Sequence, residues 1–357
     1  MTAIIMWILA ACALLGGLDR LAGNRFGLGA RFEEGFMLLG PTALSMAGII
    51  CLAPALSLLL EKTVVPLWRQ MGLDPAVLGG ILAIDMGGYQ LAMDLSSSPA
   101  CGLFGGIMVA ATFGCTLTFT IPVGMGMLGA EEKPFFARGI LAGLGMLPVA
   151  LIIGGLFCGL SVQGALVQSL PILLLCALMM VGIVKFPRGS VRVFTAFATF
   201  LKALTTIGLM AGAVFYITDW HPIAYFTPVE EAMAIVSSIG IVLLGSLPFA
   251  ELLRRLLKRP IQFLGKRTGL NDFSVAGFLM GIISPVPVFT LMKDMDARGK
   301  AANAAFLVCA ASALAAHMGF AFDAARDLVP QMLLTKLIGG VAGAACALLL
   351  MRKKPLA

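Results

Sequence analysis

One carboxylate stands out because it interrupts a long apolar stretch. Asp85 follows two glycines and an apolar turn, and Gly87 and Gly88 come directly after it. An ionisable group at the centre of a bilayer costs at least about 2.5–3.5 kcal/mol, so such groups usually mark a ligand site or a pathway. Tyr89 and Gln90 then supply an aromatic face and an amide, which suit a small cation carrying a hydroxyl group. The structural alternative is a protonated carboxyl group bonded to the broken backbone.

A second ionisable side chain lies in an apolar stretch near the end of the chain. His317 is in the run Ala315-Ala-His-Met-Gly319 and is one of two histidines. Histidine titrates near neutral pH, so it could gate or relay a proton. A neutral histidine bonded between two helices explains the position equally well.

Five further positions complete the candidate binding residues. Ser284 and Pro285 lie in Ile283-Ser-Pro-Val-Pro287, where the prolines remove amide donors and leave backbone groups that lipid cannot satisfy. Thr118 and Asn303 could line a path, although membrane hydroxyl groups mostly bond to backbone. Glu34 begins an apolar run, where a carboxylate complements the helix N-terminus, but it could also face a vestibule.

The composition indicates that these residues are held by membrane helices. The 357 residues are 60% hydrophobic and 12% charged, with a mean hydropathy of +1.00, whereas soluble domains are about half apolar and a quarter charged. The net charge is +7, and the basic residues that cause it lie mostly in loops. The positive-inside rule explains this distribution, so nucleic acid is not needed as a partner. We found no ATP-binding, metal or hydrolase motif, so we expect neither an enzyme nor a cofactor.

The apolar pattern predicts an all-α membrane protein with about eleven segments of the length that spans a bilayer. They lie near residues 3–23, 35–60, 75–95, 102–128, 138–161, 164–184, 193–218, 231–253, 272–292, 301–322 and 332–351. The third and the ninth contain the Asp85 glycines and the Ser284 prolines, so we predict that these two are broken or re-entrant.

The sequence also shows signs of an internal repeat. Residues 31–143 can be laid over residues 228–343 with a nearly constant shift, which aligns Pro54 with Pro248 and Pro66 with Pro260. We therefore predict two five-segment repeats, at 1–161 and 193–357, joined by a helix and a cytoplasmic loop at 162–192.

Charge counting favours the re-entrant model. If all eleven segments cross, the 25 basic residues divide 15 to 9, with Lys202 inside a segment. If segments three and nine enter and leave by the same face, the division is 20 to 4, and the four are Lys62, Arg69, Arg326 and Lys336. The second topology makes the repeats inverted, with the N-terminus outside and the C-terminus inside, as in many secondary transporters.

Several motifs together resemble the bacterial ethanolamine permease family of ethanolamine-utilisation operons. They are Phe32-Glu-Glu-Gly-Phe-Met37, Leu52-Ala-Pro54, Asp85-Met-Gly-Gly88, Met292-Lys-Asp-Met-Asp-Ala-Arg-Gly-Lys300 and His317-Met-Gly-Phe320. The chain departs from the family pattern at Ala316, where members often have an acid, and at Ser284-Pro-Val-Pro287, where they have Asn-Asn-Ile-Pro.

The resemblance implies a multi-pass inner-membrane protein that admits ethanolamine to the cytoplasm. Protonated ethanolamine would pair with Asp85, and facilitated diffusion through a midplane site would suffice. Two alternatives stay open: a proton- or cation-coupled symporter for a related amine, and a channel for neutral ethanolamine. The expected partners are this small molecule and the lipid bilayer, with a homodimer as a further possibility.

Overall fold

The computed structural model describes residues 2–82, 87–220 and 224–351. In those ranges every regular element is a helix and no strand occurs. Eight helical stretches are long and apolar enough to cross a bilayer: Thr2–Leu21, Leu28–Thr63, Pro99–Met127, Lys133–Phe157, Val162–Lys185, Pro187–Thr218, Val229–Leu257 and Arg326–Met351. The prediction of an all-α membrane protein is thereby confirmed.

The helices are numbered in chain order. The first nine are α1 (Thr2–Leu21), α2 (Leu28–Met37), α3 (Leu39–Thr63), α4 (Val65–Gln70), α5 (Ala76–Ile81), α6 (Tyr89–Leu95), α7 (Pro99–Leu103), α8 (Ile121–Met127) and α9 (Lys133–Phe157). A π-helical stretch, Phe104–Gly114 and Thr116–Thr120, joins α7 to α8. The others are α10 (Val162–Lys185), α11 (Pro187–Thr218), α12 (Val229–Thr268), α13 (Asp272–Gly281), α14 (Pro285–Leu291), α15 (Ala297–Ala310), α16 (Ala316–Ala324) and α17 (Val329–Met351).

Three of the predicted apolar segments are divided into pairs of short helices instead of spanning as one. Segment 75–95 becomes α5 and α6, and segment 272–292 becomes α13 and α14. Segment 301–322, which we expected to be continuous, becomes α15 and α16. Asp85, in the break between α5 and α6, lies outside the described residues.

In each of the first two helix pairs, the chain that follows the pair lies close to the chain that precedes it. The carboxylate of Asp74, just before α5, accepts the amide of Ala76 at 2.9 Å and the amide of Ser97, after α6, at 3.0 Å. In the second pair the carboxylate of Asp296, after α14, accepts the amide of Asn271, before α13, at 2.9 Å. One carboxylate therefore joins the beginning and the end of each pair.

At the unexpected break between α15 and α16, backbone amides form hydrogen bonds with carbonyl groups of the α13–α14 break. The amide of Ser312 donates to the carbonyl of Gly281 at 3.1 Å, and the amide of Leu314 donates to the carbonyl of Ile282 at 2.9 Å. Ser312 also has a φ of +56°, a conformation that costs a non-glycine residue free energy. The break is held by tertiary contacts, since Ala311–Ala315 contains neither glycine nor proline.

Helices α9, α15 and α17 pack so closely that glycine is required between them. A Cβ atom on Gly143 of α9 would lie 2.7 Å from the carbonyl oxygen of Ala305 and would also overlap Val308, both in α15. Small residues allow this approach of membrane helices, which is stabilised by packing because lipid supplies no hydrophobic driving force between them.

We expect Gly143→Val to lower the free energy of unfolding by about 3 kcal/mol or more, at the upper end of overpacking costs, because the carbonyl of Ala305 cannot move aside. Gly145→Val is the matched control on the same helix, since no atom lies within 4 Å of its Cβ position, and we expect a change within about 0.5 kcal/mol. Thermal unfolding in detergent measures both. Equal losses in the two variants would contradict the packing argument.

Candidate functional site

The interior contains a set of buried polar side chains, two of which, His317 and Lys336, are of ionisable types that membrane segments rarely contain. They lie on the π-helical stretch, α15, α16 and α17, and each is at most 5% exposed: Thr112, Thr116, Thr118, Thr120, Asn303, His317, Thr335 and Lys336. Among the described residues, the hydroxyl groups of Thr120 and Thr335 have no hydrogen-bond partner. The part of this set on the π-helical stretch, α16 and α17 is therefore the candidate site for a polar ligand.

Lys336 corrects one assignment made from the sequence. The charge count treated it as a residue facing the outer solution, but it is fully buried in α17. Its Nζ atom donates to the carbonyl of Ala111 in the π-helical stretch. The signal was present in the sequence, because a lysine in an apolar segment meets the same criterion that singled out Asp85.

Tyr89 connects the first helix pair to α16. Its hydroxyl group donates to the carbonyl of Ala324 at 3.1 Å, and its ring meets that of Phe320 edge-on at 5.7 Å between centroids. Gly87 and Gly88, just before it, are buried. His317 is on the same helix one turn before Phe320, so the structure brings the end of the Asp85 motif to the helix that carries the histidine.

Ser284 and Pro285 lie where the second helix pair meets the α15–α16 break. Ser284 is half-buried and precedes α14, and Pro285 is the first residue of that helix. The carbonyl groups of Gly281 and Ile282 in the same break accept the amides of Ser312 and Leu314. These two predicted residues therefore come shortly after the carbonyl groups that hold the chain leading into His317.

Thr118 and Asn303 are buried but bonded to backbone. The hydroxyl group of Thr118 donates to the carbonyl of Gly114 at 2.8 Å within its own helix. The amide of Asn303 donates to Ser274 at 2.8 Å and to Gly299 at 3.0 Å, so it joins the first turns of α13 and α15. Asn303 thus packs where the second helix pair begins and ends, and not with Tyr89 and His317.

Glu34 and Gln90 have partners outside the buried polar set. Glu34 is about half exposed and pairs with Arg31 at 2.5 Å. Arg31 also approaches Glu251, which binds two further arginines of α12. Gln90 is exposed, and its amide donates to Asp94 at 3.0 Å. The described contacts of both residues are those of surface charges and amides.

A buried ion pair joins the two halves of the chain. Lys300 of α15 lies 3.3 Å from Glu132, just before α9, and the two side chains are 11% and 12% exposed. The ammonium group of Lys300 is also 5.8 Å from the centroid of the Phe135 ring. The charged run from Lys293 to Lys300 is therefore not a loop throughout, since α15 begins inside it, at Ala297.

The apolar helices around this polar interior, together with the comparisons that follow, define a multi-pass integral membrane protein of the bacterial inner membrane. The chain matches the family model described as ethanolamine utilisation protein, EutH, over residues 1–350. It therefore belongs to that family, which confirms the resemblance found in the sequence.

Three individual proteins are similar to this chain over most of their length. A Listeria monocytogenes protein named a probable ethanolamine permease is 39% identical over 343 residues, which are 96% of this chain and 92% of that protein. A Salmonella typhimurium protein of the same name is 34% identical over 389 residues, covering 98% and 95%. An uncharacterised Bacillus subtilis protein, YxeR, is 37% identical over 345 residues, covering 96% and 93%. No solved structure matches the chain.

We expect the Lys300–Glu132 pair to contribute measurably to stability. In a double-mutant cycle of Lys300→Met and Glu132→Gln, the coupling energy should exceed about 1 kcal/mol, because the pair is shielded from water. The control is the Arg20–Glu33 pair at 3.5 Å, whose side chains are 55% and 53% exposed, with a coupling below about 0.5 kcal/mol. Unfolding in mixed micelles measures both cycles, and equal couplings would show that burial does not matter here.

Proposed function

We propose that the protein transports ethanolamine, in its protonated form, across the bacterial inner membrane into the cytoplasm. The observation that carries this proposal is membership of the EutH family over residues 1–350, with relatives named probable ethanolamine permeases. Facilitated diffusion is sufficient, since the membrane potential draws a cation inward at about 2.3 kcal/mol per charge for each 100 mV.

The polar interior supports a small hydrophilic cargo. Buried hydroxyl groups on the π-helical stretch and on α17 could accept or donate hydrogen bonds, and Tyr89 and His317 lie on neighbouring parts of the same interior. Ethanolamine has an ammonium donor at one end and a hydroxyl group at the other, so it needs acceptors of this kind in place of water.

Asp85 is the proposed partner of the substrate ammonium. Its role rests on the sequence, because the residue lies outside the described residues. In support, the next described residues, Gly87 and Gly88, are buried, and Tyr89 contacts α16. A carboxylate at this position of an apolar segment would favour a cationic partner, because a charge that is removed from water and left unpaired costs more free energy than a paired one.

We further propose that α5–α6 and α13–α14 are re-entrant hairpins in two inverted repeats. The contacts of Asp74 with Ser97 and of Asp296 with Asn271 support this, because each pair begins and ends at one place. The eight candidate spans plus the divided α15–α16 segment then make nine crossings. An odd number of crossings places the termini on opposite sides, with the more basic loops in the cytoplasm.

Cysteine labelling tests the hairpins. We expect Met71→Cys and Pro99→Cys, which flank the first pair, to react with a membrane-impermeant maleimide from outside the cell, and Arg267→Cys and Lys293→Cys, which flank the second, to react only from inside. All four residues are exposed. The unmodified chain, whose eight cysteines are buried or half-buried, gives the background. If the two residues of either pair label from opposite sides, that segment crosses the membrane and the hairpin model is wrong.

Uptake by proteoliposomes tests the function. We expect Asp85→Asn to reduce ethanolamine uptake at least about a hundredfold. Removing one member of a buried charge pair leaves the other unpaired, which costs about 3 kcal/mol or more, and each 1.4 kcal/mol is a factor of ten. Asp94→Asn is the control, since Asp94 is an exposed carboxylate on the neighbouring helix α6.

The outcomes separate the candidate mechanisms. No uptake by the unmodified protein would contradict ethanolamine transport. Undiminished uptake by Asp85→Asn would indicate a path for the neutral molecule. Accumulation driven by a pH gradient without a membrane potential would indicate proton coupling in place of facilitated diffusion.

A further inference from the structure

The ammonium group of Lys336 is an internal cation in a protein proposed to carry a cation. Lys336 is seven residues after the start of α17, which places it about 10 Å along the helix from that end. Its side chain is fully buried, and its Nζ atom donates to the carbonyl of Ala111. Helix α17 packs closely against α15 here, since a Cβ atom on Gly339 would lie 2.8 Å from the Sγ atom of Cys309.

The acceptor of the Lys336 ammonium group, the carbonyl of Ala111, lies in the π-helical stretch. In an α-helix the amide of Cys115 would donate to the carbonyl four residues earlier, which is that of Ala111. Here the amide of Cys115 donates to the carbonyl groups of Ala110 and Thr112 instead. In this pattern the Ala111 carbonyl is the acceptor for the amide five residues on, that of Thr116, and its second lone pair can accept a donor from another helix. π-turns are frequent at functional sites.

Lysine and ethanolamine present the same chemical group, a primary ammonium with three donors on a short aliphatic stem. We propose that, in the substrate-free protein, the ammonium group of Lys336 occupies the Ala111 carbonyl site. The ammonium group of the substrate takes this site at a different stage of transport from its pairing with Asp85, so that the two ammonium groups exchange there. This inference rests on the proposed transport of ethanolamine and adds a specific residue to it.

Electrostatics makes the two occupants mutually exclusive. Two positive charges at contact distance in a medium of low dielectric constant repel strongly, so the lysine must withdraw when the substrate ammonium arrives. Its four-carbon stem has the rotational freedom for this movement. The return of Lys336 to the Ala111 carbonyl then displaces the substrate, which prevents a carbonyl site inside the membrane from retaining its cargo.

A buried hydroxyl group lies beside this site in the sequence. Thr335 is 1% exposed, and its Oγ1 atom has no hydrogen-bond partner among the described residues. Unsatisfied buried hydroxyl groups are uncommon and call for a ligand or water. The substrate carries a hydroxyl group of its own, which could satisfy that of Thr335 when its ammonium group replaces Lys336.

The exchange predicts an unusual kinetic result for Lys336→Met, which keeps the length of the side chain and removes its charge. If the lysine holds the site in about 90% of molecules, its removal should lower the KM for ethanolamine uptake about tenfold, because apparent affinity scales with the fraction of free sites. The maximum rate of net uptake should fall, because nothing displaces the substrate. Lys336→Arg retains the competing charge, so its KM should not fall.

Lys202→Met is the matched control. Lys202 is also inside an apolar helix, α11, but its side chain is exposed on the outer face of that helix, and we expect wild-type kinetics. A KM for Lys336→Met that is unchanged or higher would overturn the exchange model while leaving ethanolamine transport intact. Absence of uptake by the unmodified protein would instead contradict the proposed function.

A second measurement uses the unmodified protein and does not depend on the folding of a variant. A site that accepts a primary ammonium through N–H donors should be inhibited by ethylammonium and progressively less by N-methyl-, N,N-dimethyl- and N,N,N-trimethylethanolamine, which lose one donor at each step. Equal inhibition by all four would overturn the proposal that a carbonyl group binds the ammonium.

Discussion

Backbone groups that leave a helix inside a bilayer must find hydrogen bonds within the protein, because lipid offers none. This constraint governs the arrangement of the broken segments. The amides released at Ser312 and Leu314 are bonded to the carbonyl groups released at Gly281 and Ile282. The two breaks therefore satisfy each other's backbone hydrogen bonds, and neither would be stable alone. The polar interior follows from this pairing, since the chain that leads into His317 is positioned by it.

The beginning and the end of each helix pair are held together by a carboxylate, but the residues that do this differ between the two pairs. Asp74 bonds the start of the first helix pair to Ser97, and Asp296 bonds the start of the second to its end through Asn271 and Ser274. The first carboxylate precedes its pair and the second follows it. The two helix pairs are therefore closed in a similar way by acids at different positions along the chain.

Much of the architecture could be predicted from the sequence, because apolar spans, glycines and prolines are local signals. They located the breaks in residues 75–95 and 272–292, and motifs identified the family. The break at Ala311–Ala315 was missed because its cause is tertiary: alanines favour helix, and only contacts with the α13–α14 break interrupt it. Lys336 was assigned to the solution because it is close to a segment end, where lysines usually reach water. Its burial depends on a π-helix that no residue type marks.

The π-helical stretch has a consequence for how the family can vary. A π-turn closes its backbone hydrogen bond over five residues, whereas an α-turn closes it over four, so one residue could be lost between Phe104 and Gly114 by converting a π-turn into an α-turn. The helix after the deletion would keep its orientation, and Thr116 would still face the carbonyl of Val308. The carbonyl groups inside the shortened turn would change their amide partners, so a change of length here would alter the surroundings of the Ala111 carbonyl before it disturbed the packing of the neighbouring helices.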